Sequence, residues 1–159
     1  MIAVLAYRGV SSGEVDTPVT CLADRMDANV CFVGPHVGVV HGVEPSRPVE
    51  VSPPVTNARR ADVLVVPGGL GWKQVAADPA TSTWLAGAAN DARGILAMST
   101  GTLLLASVGR LTGRNATGHW LADDDLAALG ARPASSRTAA DDDGRVVTAS
   151  GALAALGVV

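Results

Sequence analysis

The stretch Asp62-Val63-Leu64-Val65-Val66-Pro67-Gly68-Gly69 decides the architecture. Four consecutive apolar residues suit a strand covered on both faces, and such strands belong to parallel sheets flanked by helices. Pro67 stops the strand, and the glycines open a tight turn. Working outward, Met1-Ile2-Ala3-Val4-Leu5-Ala6-Tyr7 supplies another buried strand over residues 2–7, and Val30-Cys31-Phe32-Val33 a third, closed by Gly34-Pro35. Between them Thr17-Pro18 predicts a helix start, with Thr17 as N-cap and Val19, Leu22, Ala23 and Met26 on one face. Short Val-rich pieces in 37–55, split by Pro45, Pro48, Pro53 and Pro54, read as small surface strands.

Beyond the central stretch the alternation continues. Asp78-Pro79 predicts a helix to about Arg93, with Trp84, Leu85, Ala88 and Ala89 on one side and Gly94 as its stop. Ile95-Leu96-Ala97-Met98 is a short central strand. Residues 100–108 form an apolar helix closed by Gly109, and 122–129 a helix ended by Gly130. Strands near 131–138 and 145–148 flank the polar turn Asp141-Asp142-Asp143-Gly144, and Ala152-Leu153-Ala154-Ala155-Leu156 follows. Strands alternating with helices specify an α/β three-layer sandwich with a mostly parallel central sheet. Ligands in such sheets bind outside the carboxyl ends of the strands. Pro67-Gly68-Gly69 and Ser99-Thr100-Gly101 therefore share one edge.

Composition narrows the function classes. The chain has 159 residues, which fits a single domain over 1–159. Aromatics are 3% against 48% hydrophobic, so the core is aliphatic. Lys+Arg 12 against Asp+Glu 15 leaves net −3, which offers no basic surface to nucleic acid. No apolar run approaches the roughly 18 residues of a membrane span. The N-terminus lacks the basic region of a signal peptide, so a cytoplasmic protein is expected. Cys21 and Cys31 cannot build a disulfide framework or a four-thiolate zinc site. Both sit in apolar patterns and read as buried small hydrophobes. His36, His41 and His119 give no metal-ligand spacing, and Asp123–Asp125 and Asp141–Asp143 read as a helix N-terminus and a solvated turn. Neither a metal nor a cofactor is expected.

Two turns could carry chemistry. Ala97-Met98-Ser99-Thr100-Gly101 joins a buried strand directly to a buried helix. Small residues two positions either side of Ser99 permit a sharp turn that pushes its side chain outward, as in a nucleophile elbow. The following amides, Thr100 among them, sit where a helix N-terminus favours negative charge. Ser99 as an ordinary N-cap is the competing reading. Pro67-Gly68-Gly69-Leu70-Gly71 allows close backbone approach to a ligand but lacks the spacing of a dinucleotide or phosphate loop. A serine hydrolase triad finds only His119 after Ser99 and no acid between them, against the α/β-hydrolase order.

Together these motifs resemble the ThiJ/PfpI superfamily, of the flavodoxin-like, class I glutamine-amidotransferase-like fold, over nearly the whole chain. Asp62 to Gly69 is similar to its D-x-L-x-x-P-G-G strand end, and Ile95 to Ala106 to its elbow and helix. Gly109 to Trp120 resembles the segment "GLLDGRRATTHW", and Gly144 to Gly151 resembles "GRVVTSAG". The combination points to the branch of isocyanide hydratases and the sensor domains of AraC-type regulators. The resemblance implies that Glu14 reaches the elbow from the first strand–helix loop. It also implies that His119 and Trp120 line or support the pocket, and that the chain forms a homodimer acting on a small molecule. Three departures stand out. Ser99 occupies the family's cysteine position, Gly118 replaces the second Thr of "ATTHW", and the sequence stops some residues before the family's last helix ends, so that helix is expected to be truncated, short or completed by a partner.

A serine hydroxyl, unlike a thiol, needs an adjacent base to attack. The resemblance then implies a non-thiol enzyme of hydratase, lyase or rearrangement type acting on a small electrophilic metabolite. Glu14 would be its acid/base, and Gly68, Gly69, Leu70 and Thr100 would frame an oxyanion hole beside Ser99. A catalytically silent, sensor-like binding domain and a serine-nucleophile hydrolase remain alternatives.

Overall fold

The computed structural model describes residues 1–43, 48–57, 60–141 and 143–158. Pro45, Arg59 and Asp142 lie outside these.

In chain order the elements begin with β1 (Ile2–Leu5), α1 (Ser12–Met26), β2 (Val30–Val33), β3 (Gly38–Val40) and β4 (Val49–Val51). Then come β5 (Val63–Val66), α2 (Trp72–Ala76), α3 (Pro79–Asp91), β6 (Gly94–Met98) and α4 (Gly101–Ser107). The chain continues with β7 (Asn115–Ala116), α5 (Asp123–Ala128), β8 (Arg132–Pro133), β9 (Thr138–Ala140), β10 (Val146–Ala149) and α6 (Ala152–Ala155).

The main sheet has the order β2-β1-β5-β6-β10-β9. All its pairings are parallel except β10 with β9. The deciding stretch sits near the middle: Val65 stands opposite Val4 on one side and Leu96 on the other. Its alternating side chains serve two layers, as the period of a strand requires. Val65 joins Ile2, Val4, Leu96 and Met98 in a cluster covered by Val19 of α1 and by Ala154 and Ala155 of α6. Leu64 and Val66 join Leu85 and Ala89 of α3 and Leu103, Leu104 and Leu105 of α4 in the opposite cluster. Helices on both faces of a mostly parallel sheet complete the expected three layers. Fully burying each such aliphatic side chain contributes about 1.5–3 kcal/mol.

Several elements depart from the sequence expectation, each for a local reason. α1 begins at Ser12, before Thr17-Pro18, and carries Pro18 inside it. Its first turn was hidden because the residues it buries there are polar: Ser12 is 4% and Glu14 6% exposed. Glu14 is thus a helix residue, not a loop residue. α3 ends at Asp91, and Gly94 starts β6 instead of stopping the helix. The Val-rich pieces form an antiparallel hairpin of β3 and β4, in which Val51 is fully buried rather than superficial. The strand expected near 131–138 is divided. Arg132–Pro133 pairs in parallel with Asn115–Ala116, and only Thr138–Ala140 reaches the main sheet. Pro133 has no N–H to extend a ladder, consistent with so short a strand. Cys21 and Cys31 are half-buried rather than buried, and burial pushes the Cys31 thiol up. The acidic turn is bound as well as solvated, since Asp141 pairs with Arg114 and accepts the Val146 N–H at 2.8 Å. Among the described residues no helix is long and apolar enough to cross a membrane.

Candidate functional site

Because β1, β5 and β6 are adjacent and parallel, their carboxyl ends deliver three loops to one edge. β6 runs directly into Ser99, whose φ of 53° lies in the left-handed region. That conformation costs an L-residue about 1–3 kcal/mol and persists only where surroundings impose it. The impositions are visible. The Ser99 N–H donates to Ala149 O on β10 at 2.9 Å, and the Ser99 carbonyl accepts from Thr102 N at 3.2 Å. Thr102 in turn donates to Thr117 O at 2.9 Å, and Thr117 N donates to Thr148 Oγ1 at 2.9 Å. The N-cap of α4 is Thr100, without a side-chain capping bond, so Ser99 does not serve as an ordinary cap.

The turn after β5 locks onto this one. A Cβ on Gly68 would lie 2.8 Å from Thr100 N and 2.9 Å from Ser99 Cβ, so only glycine fits. Glu14 Oε2 accepts the Gly68 N–H at 2.6 Å inside the protein. Ser11 N donates to Gly68 O at 2.8 Å, which ties the start of α1 to the same turn. Thr100 Oγ1 accepts the Gly69 N–H at 2.9 Å. The amides of Gly68 and Gly69 are therefore both hydrogen-bonded within the protein. Among the described residues no acceptor takes the Thr100 N–H, which leaves it as the donor at this turn. The Tyr7 hydroxyl donates to Pro67 O at 3.0 Å and braces the turn from below. Burial, with the Glu14 charge adding to it, pushes the Tyr7 phenol far up, so it is a permanent donor.

These groups open on a cavity of about 420 Å³. Glu14, Ser99, Thr100, Gly69, Leu70 and His119 line it, together with Ser11, Val43, Trp72 and Lys73. Of the residues singled out from the sequence, Gly68 stands behind the wall. Trp120 is 74% exposed and lies outside, its ring stacked against His119 with centroids 5.9 Å apart. His119 Nδ1 accepts the Leu121 N–H at 3.2 Å, so the neutral ring carries its proton on Nε2. Tyr7 and Lys73 were missed. Each is the single residue of its type in the chain, which is the one mark they carry in the sequence. Gly118, the second departure, touches the first, since a Cβ there would lie 3.1 Å from Ser99 O. Among the described residues no group of His, Cys, Asp and Glu could hold a metal ion.

The fold that carries these turns recurs in proteins of known kind. The DJ-1/PfpI family profile matches residues 1–157. The chain belongs to the DJ-1/PfpI family. It is 31% identical over 157 residues to an isonitrile hydratase of Pseudomonas putida, covering 98% of this chain and 67% of that protein. The crystal structure of a ThiJ/PfpI family protein from Pseudomonas syringae superposes with a TM-score of 0.89 at 28% identity. That match covers 98% of this chain and 64% of the other, so the chain spans just under two thirds of its length. Schizosaccharomyces pombe DJ-1 shares the fold, with a TM-score of 0.80 at 16% identity over 98% of this chain and 85% of its own.

Proposed function

We propose that this DJ-1/PfpI protein is a hydratase-type enzyme that adds water to a small electrophile of the isonitrile class without a thiol. The carrying observation is that Glu14, Ser99 and Thr100 line one cavity in a chain 31% identical to an isonitrile hydratase. Ser99 sits at the nucleophile elbow, but among the described residues no base is hydrogen-bonded to its hydroxyl, and an unactivated hydroxyl is a poor nucleophile. Water is therefore the attacking group. Its oxygen bonds to the terminal carbon of R–NC while Glu14 takes a proton and returns it to the substrate. The sum is R–NC + H2O → R–NH–CHO, which needs no redox partner. The Thr100 N–H faces the charge that develops, where a fixed donor at a helix start acts most strongly. Ser99 positions the water by a hydrogen bond.

On this reading the enzyme works in the cytoplasm as a homodimer. Conversion of phenyl isonitrile to N-phenylformamide, followed by proton NMR, tests it. The wild type turns over, and Glu14→Gln loses about 10²–10⁴-fold, the usual contribution of a positioned acid/base. Undiminished turnover in Glu14→Gln refutes the assignment. The serine at the family's cysteine position favours a second reading, a silent ligand-binding domain. Saturable isonitrile binding with no turnover by the wild type would support that one.

A further inference from the structure

The chain carries 12 basic residues, and 11 of them are arginine; Lys73 is the single lysine. It stands on α2 and lines the same cavity as Glu14 and Ser99. Its Nζ lies 5.5 Å from the centroid of the Trp72 ring, a cation–π contact that holds the ammonium beside the opening. None of the ion pairs among the described residues involves Lys73. The remaining polar side-chain groups of the lining are hydroxyls, a histidine and the Trp72 indole N–H, with the buried Glu14 already hydrogen-bonded to Gly68. The cavity is thus polarised, with a carboxyl group in its wall and an unneutralised cation at its rim. Val43, Leu70 and Trp72 supply the apolar surface. A lysine presents a compact point charge with rotatable donors, where an arginine would present a rigid fork. One such charge balances one negative charge.

Resting on the hydratase reading of this site, we infer that its substrate is a small monocarboxylate. A neutral electrophilic end goes to Ser99 and Glu14, an apolar body lies against Trp72 and Leu70, and the carboxylate is held by Lys73. Lys73 is then a specificity-determining residue. The cation at the rim orients the substrate with its anionic end outward, away from Glu14.

Benzoate and benzamide, alike in shape and different in charge, are the probes. Calorimetric titration of the full chain should show benzoate binding about twofold to fivefold tighter than benzamide at low salt, as an ion pair with an exposed lysine allows. The preference should shrink in high salt. It should vanish in Lys73→Met and persist in Lys73→Arg. With one lysine in the chain, acetylation at Lys73 is read cleanly by mass spectrometry. Benzoate should slow it and benzamide should not, with the N-terminal amine as internal reference. Equal affinity for the two probes, binding of neither, or an undiminished preference in Lys73→Met overturns the inference. The two failures are distinguishable. If only the hydratase reading is wrong, no isonitrile turns over while the charge preference remains. If only this inference is wrong, phenyl isonitrile and 4-isocyanobenzoate turn over equally well.

Discussion

Replacing Glu14 separates what its side chain does for the fold from what it does for the reaction. Its Oε2 accepts the Gly68 N–H at 2.6 Å, and both residues are buried. Glu14→Gln can present a carbonyl oxygen to the same N–H. It exchanges a hydrogen bond to a charged group, about 1.5–3 kcal/mol, for a neutral one of about 0.5–1.5 kcal/mol. The expected loss is therefore about 1 kcal/mol. Glu14→Ala removes the acceptor altogether and leaves a buried N–H unpaired, which costs the full desolvation penalty of about 1–3 kcal/mol, at the upper end where the lost partner was charged. A loss of about 3 kcal/mol follows. For a chain of this length these losses correspond to melting shifts of about 3 °C and about 9 °C. Urea titration followed by circular dichroism, with thermal melts of the same samples, measures both. Turnover should fall in the two variants alike, because neither side chain can carry the proton. If Glu14→Ala melts no lower than Glu14→Gln, the Gly68 bond does not hold the turn as described. If the two variants differ in turnover as they differ in stability, the loss of activity is a loss of folding and not of proton transfer.

The other expectations are narrower. Tyr7→Phe deletes the buried bond to Pro67 O and should cost about 1 kcal/mol in urea unfolding; an unchanged midpoint would remove Tyr7 as the brace of the turn. Asp78 caps α3 by accepting the Thr81 N–H at 2.9 Å, and Asp78→Ala should cost about 1 kcal/mol at neutral pH. Its hydrogen bonds to Thr81 hold that carboxyl below the usual carboxylate range. The stabilisation is therefore present above the unfolded value and fades as pH falls through the lower folded one. Wild type and variant should converge in acid, and a gap that persists there contradicts the cap. Leu70 on the cavity lining, and Trp120 and Leu121 just after His119, are 82%, 74% and 68% exposed, apolar surface that the proposed second copy would cover. Light scattering should give twice the chain mass of 16.0 kDa, and a strict monomer refutes the dimer.

How far the structure was legible in the sequence depended on whether apolar pattern and burial coincide. They coincide in Val63-Leu64-Val65-Val66 and Ile95-Leu96-Ala97-Met98, so the sheet and its three layers could be read. They part company at Ser12 and Glu14, which are buried and polar, so the first turn of α1 went unseen. α2 is five residues long and has no side-chain cap, so nothing announced it. The division of 131–138 depends on pairing with Asn115–Ala116, a tertiary contact that no local pattern records. At the site, the turns carrying Ser99 and Gly68 were visible as strand-to-loop punctuation. The commitment of the Gly69 N–H to Thr100 was not, because it depends on how two loops mesh. Lys73 and Tyr7 reach the site by topology alone.

Ser99→Ala bears most directly on the central claim, that water rather than the protein attacks the substrate here. Steady-state hydration of phenyl isonitrile by this variant should fall about tenfold, the worth of one positioning hydrogen bond of about 1.4 kcal/mol. Intact-protein mass spectra of the wild type during turnover should show only the free chain. Abolished turnover in Ser99→Ala, together with a wild-type mass increased by one substrate at Ser99, would contradict the account and make the serine the nucleophile.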